Sequence, residues 1–438
     1  MTPRAERGRQ VGSSLRALAA DPHAALALAA ALLLAGESLR LDRTALGPLL
    51  EAVVVAGALA AAWRGRDSLR LAPLLALGVS FQLAWVAIHL GLGVRGDPDP
   101  RLVYPAEGNA LRHGAYPPSP YPPGAVGLFA VETWLGGGAA RTANAFLMVP
   151  FQAAAVAGAW LLRTRWSAWL AAFVALWPAN LFFWEFRFDL VPAAAIAAGI
   201  ALAWRERWAS AGFALGIGAL AKWTPGLTAL ALALWLLASH RTRAARRYVL
   251  GFAIPVVLVN VPLFLIDPHD ASSPYRAQSV RGITGESLPY LPLRLLGLAD
   301  PPRHYSGDAS VPGWSKTAAA VLQALVVVAL LVLAARAQRP ASALALAALV
   351  PPAFLLTNRI FSPQFFVVVV VGVAAAAALV ARSQRELLVV TGAVAAAAVA
   401  NATLYPRLYA ASGWIWVSAA ALLPAAAAVA RLARVAER

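Results

Sequence analysis

The sequence predicts an all-α polytopic membrane protein, a bundle of about 14 membrane helices with two large loops on one side. Three observations predict it. Hydrophobic residues make up 60% of the 438 and charged residues only 13%, outside the range of soluble domains. Apolar runs such as Val321–Ala335, Phe365–Val380 and Val389–Ala400 approach the roughly 20 residues that span a bilayer. Arginine-rich turns recur between these runs. Lipid offers the backbone no hydrogen-bond partners, so such runs must be helices. The short alternating segments of an outer-membrane barrel are not seen.

Spans are expected near 24–39, 47–63, 71–93, 142–162, 166–184, 190–204, 208–221, 225–238, 248–266, 315–335, 341–356, 364–381, 387–403 and 413–431. Alternating them places the stretches near Arg4–Arg16, Arg64–Arg70, Arg163–Arg165, Arg205–Arg207, Arg241–Arg247, Arg336–Arg339, Arg382–Arg385 and Arg431–Arg438 on one side. That side holds 22 Lys/Arg against 6 Asp/Glu, a net of +16. The other 15 of 37 basic and 14 of 20 acidic residues nearly cancel. This is the positive-inside pattern. It predicts a multi-pass plasma-membrane protein with both termini cytoplasmic, the basic N-terminus being a retained tail. The net charge of +17 thus orients the chain, and no basic face with interleaved aromatics suggests nucleic acid.

One integral domain is expected. Residues 24–63 read as an additional N-terminal hairpin, 64–381 as the core, and 382–438 as C-terminal helices. The segments 190–204, 208–221 and 225–238 are short for full spans and read as half-membrane helices bordering a cavity. Gly212, Gly216 and Gly218 allow close helix contact. The large outer loops are 94–141, whose apolar piece Ala125–Leu135 is suited to the interface, and 267–314. Short outer turns fall at Glu185–Asp189, Lys222–Thr224, Thr357–Pro363 and Leu404–Trp414.

The sequence excludes several chemistries. There is no cysteine, hence no disulfide, thiol nucleophile or zinc-thiolate site. No Walker loop, dinucleotide fingerprint, metalloprotease pair or nucleophile elbow occurs. The six histidines lack metal-like spacing. Neither a cofactor nor a divalent metal is expected.

The outer loops carry the candidate residues. Asp97 and Asp99 are either general bases, since a carboxylate in hydrogen-bond reach of a hydroxyl can take its proton, or Asp-Pro turn formers. Glu107, one helical turn beyond Tyr104, either orients a hydroxyl or caps a short helix. Tyr116-Pro-Pro and Tyr121-Pro-Pro are stiff turns with aromatic faces that suit either sugars or loop packing. Asp189 is placed to cap the helix that follows, with Pro192 in its first turn, and Arg187 beside it can meet a phosphate. Lys222 reads either as a helix-end side chain reaching for water or as an anion ligand. Arg281 with Glu286, and Arg359 near Ser362 and Gln364, offer further groups. Guanidinium groups match phosphate oxygens in bidentate fashion. Lys222, Arg281 and Arg359 share one membrane face in this topology, which suits a phosphate-linked lipid.

The order of these motifs resembles the GT-C superfamily of polytopic glycosyltransferases, and within it glycosyltransferase family 87, the polyprenyl-phosphate-mannose-dependent mannosyltransferases. Asp99 and Tyr104 come first, then Gly114-Ala-Tyr116-Pro-Pro and Tyr121–Pro123. Arg187–Pro192 (RFDLVP), Ala211–Pro225 (AGFALGIGALAKWTP), Arg281–Ser287 (RGITGES) and Phe361–Phe365 (FSPQF) follow. The likeness spans about residues 95–380. There are departures. The family's loop Asp commonly stands four residues before the Tyr, whereas Asp99 stands five before it and Asp97 seven. Pro120 occupies the place of the acidic residue that often precedes Tyr-Pro-Pro.

The resemblance implies transfer of a hexose, mannose foremost, from a polyprenyl-phosphate donor to a lipid-linked or cell-envelope glycan. The reaction would invert the anomeric centre on the outer face of the membrane, with Asp99 or Asp97 as base. Donor phosphate would meet Lys222, Arg281, Arg359 and Arg187. Tyr104, Glu107, Tyr116, Tyr121, Asp189, Glu286 and Gln364 would contact substrate. The expected partners are membrane lipid, the polyprenyl-phosphate sugar and a glycan or glycolipid acceptor. A flippase for lipid-linked sugars and a non-catalytic assembly protein are the alternatives. A transporter would place ionisable residues deep within helices, whereas most here lie in loops.

Overall fold

The computed structural model describes residues 21–40, 47–94, 99–176, 181–302, 307–405 and 415–438. Nine helices among them are long and apolar enough to cross a membrane, and five shorter apolar helices accompany them. Most of the expected segments fall on these helices; the one at 166–184 holds two short helices, Ser167–Leu176 and Leu181–Phe186, and its residues 177–180 lie outside the described residues. No sheet occurs among the described residues, only two isolated bridges, Thr284 with Asp308 and Asp300 with Ser310.

The chain opens with α1 (Pro22–Ser38), α2 (Gly47–Arg64) and α3 (Leu71–Gly91). Asp21 starts α1 by accepting a hydrogen bond from the His23 amide at 2.9 Å, with Pro22 in the first turn, where its missing N–H costs nothing. The α1–α2 hairpin is packed into the bundle. The Trp169 indole donates to the Leu59 carbonyl at 2.9 Å, and Trp63 stacks on Trp166 at 5.4 Å.

The stretch between α3 and the next long helix holds two helices, α4 (Asp99–Arg112) and α5 (Pro123–Gly136). The apolar piece at 125–135 is thus a helix with two faces. Ala125, Val126, Phe129, Glu132 and Thr133 are buried, whereas Val131, Trp134 and Leu135 are exposed. α4 and α5 lie very close, because a Cβ on Gly108 would stand 2.3 Å from the Phe129 carbonyl oxygen.

α6 (Ala140–Leu161), α7 (Ser167–Leu176) and α8 (Leu181–Phe186) lead to three short helices, α9 (Leu190–Trp204), α10 (Trp208–Ala221) and α11 (Thr224–Ala238). Each of the last three rises about 22 Å, short of the roughly 30 Å hydrocarbon core. α9 packs against α6, α10, α11, α17 and α18 and is buried along nearly its whole length. A helix this short and apolar throughout belongs inside protein rather than in lipid. α10 packs on α12 (Thr242–Ile266) through glycines at both faces. A Cβ on Gly212 would meet the Tyr248 carbonyl oxygen at 2.1 Å, and one on Gly251 the Ala209 oxygen at 2.1 Å. The expected close contact of the glycine-rich helix is therefore made, backbone to backbone.

The stretch after α12 holds α13 (Pro268–Ala271), α14 (Ser273–Val280) and α15 (Tyr290–Leu295), and a separate small core gathers Ile283, Tyr290, Leu293 and Ile415. The chain then runs through α16 (Trp314–Arg336), α17 (Pro340–Thr357), α18 (Phe366–Val380), α19 (Gln384–Thr403), α20 (Ile415–Ala420) and α21 (Leu423–Glu437). α17 and α18 form the centre. Both are buried along most of their length, whereas α12 and α16 are largely exposed. α12 and α16 therefore offer their apolar surfaces to lipid.

Candidate functional site

The corner between α8 and α9 organises the site. The Arg187 amide still donates to the Phe183 carbonyl at 3.0 Å, and α9 begins at Leu190. Residues 187–189 thus turn the chain sharply, and their side chains diverge.

Arg187 forms an ion pair with Asp99, the first residue of α4. The Tyr121 hydroxyl donates to the same Asp99 oxygen at 3.0 Å. Phe188 enters an aromatic cluster. Tyr104 stacks on Phe129 with centroids 4.0 Å apart, and Tyr121 and Phe188 meet edge to face at 5.5 Å. Such pairs add about 0.5–1.5 kcal/mol each beyond the area they bury. Tyr104 is fully buried, so its ring packs within this cluster. Burial, followed by the Asp99 charge, pushes the Tyr121 hydroxyl well above its usual range, so it remains a donor.

Asp189 does not cap α9. It has helical angles, φ −66° and ψ −13°, and makes no side-chain cap bond, whereas a cap residue is usually extended. Its carboxylate instead accepts from the Lys222 ammonium, a charge-assisted bond stronger than a cap. Lys222 follows α10 in an extended conformation, φ −157° and ψ 138°. Its ammonium lies 4.3 Å from the Phe365 ring centroid and 5.3 Å from that of Phe188. Cation–π contact of this kind is worth about 0.5–2 kcal/mol.

The two ion pairs are exposed in opposite senses. In one, the Asp99 side chain is 23% exposed and Arg187 9%. In the other, Lys222 is 19% exposed and Asp189 1%. One pair thus presents its anion and the other its cation, with Phe188 between them in sequence.

Glu107 supports this arrangement from behind. Its carboxylate accepts from the Ser119 hydroxyl at 2.7 Å. The Ser119 amide donates to the Ser273 hydroxyl at 2.9 Å, and that hydroxyl donates to the Ser119 carbonyl at 3.0 Å. These bonds tie the stretch between α4 and α5 to the start of α14. Burial pushes the Glu107 carboxyl up to about 7, against the Ser119 bond and aided by the Asp99 charge. Trp223 stacks on Tyr275 at 5.0 Å, a second tie. Tyr116 is half-buried, and burial pushes its hydroxyl upward.

The remaining candidates form a neighbouring group. Arg359 donates to the carbonyls of Arg281, Gln278 and Ser279 at 3.3, 3.1 and 3.4 Å. The Thr284 amide donates to the Arg359 carbonyl at 2.9 Å, and the Phe361 amide to the Thr284 hydroxyl at 3.0 Å. Arg359 thus anchors the stretch 278–284. Arg187 is paired with Asp99 and Lys222 with Asp189, and Arg281 offers its carbonyl to Arg359. Glu286 is buried, and Gln364 accepts from the Ser362 hydroxyl at 2.6 Å. Asp97 lies outside the described residues. Among the described residues, no group of three or more His, Asp or Glu side chains is arranged to hold a metal ion.

Phe188, Phe365, Ser119 and Ser273 went unrecognised in the sequence. The run Glu185-Phe-Arg-Phe-Asp189, with rings set between charges, was the available signal for Phe188. Nothing in the local sequence marks the two serines, which are 154 residues apart.

A family model described as glycosyltransferase family 87 matches residues 120–363. No curated protein and no solved structure matches the chain.

Proposed function

The chain belongs to glycosyltransferase family 87, and from that premise we propose that it moves a hexose, mannose first, from a polyprenyl-phosphate donor to a lipid-linked or cell-envelope glycan. The observation that carries this reading is the opposed exposure of Asp99 and Lys222, whose partners Arg187 and Asp189 flank Phe188 in sequence. Asp99 takes the proton of the acceptor hydroxyl as its oxygen attacks the anomeric carbon. The bond from that carbon to the phosphate oxygen breaks, and polyprenyl phosphate leaves with the electron pair. Lys222 stabilises the charge gathering on that phosphate. Attack opposite the leaving group inverts the centre. Tyr121 and Arg187 hold Asp99 in place, and the half-buried rings of Tyr116 and Tyr121 suit a sugar face. Asp97 is the alternative base. The reading needs no cofactor or divalent metal.

A lipid donor suits this site because it reaches the protein within the bilayer. The outer face of the plasma membrane is the proposed location, and the charge asymmetry supports it. Cysteine placed at exposed Ser279 is expected to react with an impermeant thiol reagent in intact cells, and cysteine at exposed Ser239 is not. The reverse pattern would invert the topology. The reaction itself is tested by incubating the purified protein with labelled polyprenyl-phosphate-mannose and native membrane lipid extract. Release of polyprenyl phosphate with label on a new glycan supports transfer. Label that only crosses a vesicle bilayer supports a flippase.

A further inference from the structure

Four charged side chains from four helices meet behind the α8–α9 corner. The two ring nitrogens of His89, at the end of α3, meet Glu185 of α8 and, at 2.7 Å, Glu37 near the end of α1. The second oxygen of Glu185 accepts from Arg141 of α6 at 2.9 Å. Glu37, His89 and Glu185 are almost fully buried, at 2%, 3% and 2% exposure. A carboxylate on each ring nitrogen calls for a donor on each, which is the imidazolium form. In that form the two anions and two cations balance.

The cluster grips the backbone that leads into the corner. Asn144 donates to the Glu185 carbonyl at 2.6 Å. The next residue, Phe186, lies between two of the cations. The His89 ring stacks on it at 6.1 Å and 19°, and the Arg141 guanidinium lies 4.6 Å from its centroid. Arg187, the partner of Asp99, follows directly. Burying four charges is costly, and apolar residues of the same volume often stabilise as well or better. Directional bonds to one short segment supply what apolar packing does not, a defined orientation.

We infer that Glu37 and His89 are positioning residues that set the orientation of the Arg187–Asp189 corner from helices preceding the matched residues. The inference rests on the transferase reading of that corner. It makes the α1–α2 hairpin part of the catalytic apparatus rather than an addition to it. Glu37 acts through His89, and His89 through Glu185 and Phe186. Neither touches substrate.

The test uses the full chain in lipid nanodiscs, as wild type, Glu37→Gln, His89→Gln and the double variant. Amide hydrogen exchange is measured alongside polyprenyl-phosphate release from labelled polyprenyl-phosphate-mannose. In His89→Gln, exchange at residues 185–189 is expected to rise about tenfold while α17 and α18 stay protected. Its kcat should fall roughly ten- to a hundredfold, as misplacement by about an ångström does, with donor KM within about threefold of wild type. Glu37→Gln should show the same pattern more weakly and be the deciding variant if His89→Gln does not fold. The double variant should be no worse than His89→Gln, since the path runs through the histidine. Unchanged exchange at 185–189, a rise spread over the whole bundle, or an unchanged kcat would each overturn the inference. If the wild type transfers no sugar while the local exchange effect is present, the transferase reading fails and the structural coupling stands.

Discussion

Arg187–Asp99 and Lys222–Asp189 are both carboxylate–cation pairs flanking Phe188 in sequence, yet they are exposed in opposite senses. In the first, the cation is buried and the carboxylate is the more exposed member. In the second, the carboxylate is sealed at the start of α9 and the ammonium, beside the rings of Phe188 and Phe365, is the more exposed member. A buried partner holds the more exposed member of each pair in place. The difference teaches that two ion pairs of the same make-up can leave opposite charges accessible. Which member is left accessible decides what the pair offers a substrate.

The comparison breaks most sharply at Asp99. Asp99→Asn keeps the shape of the side chain and a partner for Tyr121 but removes the base. Turnover is expected to fall by a factor of about 10²–10⁴, with donor binding retained. Polyprenyl-phosphate release measured beside donor binding checks this, and near-full activity would remove Asp99 from the mechanism and pass the role to Asp97. At the second pair, Lys222→Met removes the cation while filling its space. A loss of about 10²–10³ in kcat is expected, by analogy with one oxyanion donor, and it should depend on the donor rather than the acceptor. Equal loss with every substrate pairing would instead mark Lys222 as structural.

Smaller changes sharpen the assignment. Tyr121→Phe deletes one hydrogen bond to Asp99 and is expected to cost roughly tenfold in turnover, the kinetic equivalent of a bond to a charged group. Unaltered kinetics would show that Arg187 alone suffices to hold Asp99. The mildest effect is expected at Glu107, whose carboxyl is raised from 4.5 to about 7. A group raised on folding contributes stability that is fully present below its unfolded value and is lost as pH rises through its folded one. The Tm of the wild type should therefore fall relative to Glu107→Gln between about pH 5 and pH 8. Parallel Tm curves across that range would mean that Glu107 is ionised throughout.

Much of this was readable in advance, for physical reasons. The span positions followed from apolar runs, because lipid enforces length and helicity together. The close pairing of α10 was readable from its glycines, since only glycine admits a carbonyl oxygen at 2.1 Å from a Cβ position, as at Gly212. Asp99 and Lys222 stood out because charge is scarce in this composition. The reading of Asp189 as a helix cap failed in an instructive way. Local propensity favoured it, but a lysine 33 residues away offered a stronger bond, and the residue took helical angles instead. The bonds of Arg359 to three backbone carbonyls, 78 to 81 residues away in sequence, were not legible in advance.

The sequence by itself determined the membrane class, the apolar segments, the charge asymmetry and the short roster of polar residues able to do chemistry. Those properties depend on composition and on spacing along one chain. Tertiary structure alone decided the pairing of that roster: Arg187 with Asp99 across 88 residues, Glu185 with His89 across 96, and Glu107 bonded to a serine rather than to another charge. Several pairings satisfy the same charges on paper. Helix packing selects one, because a bond to a buried carboxylate requires its donor within about 3 Å, and only the assembled bundle sets that distance.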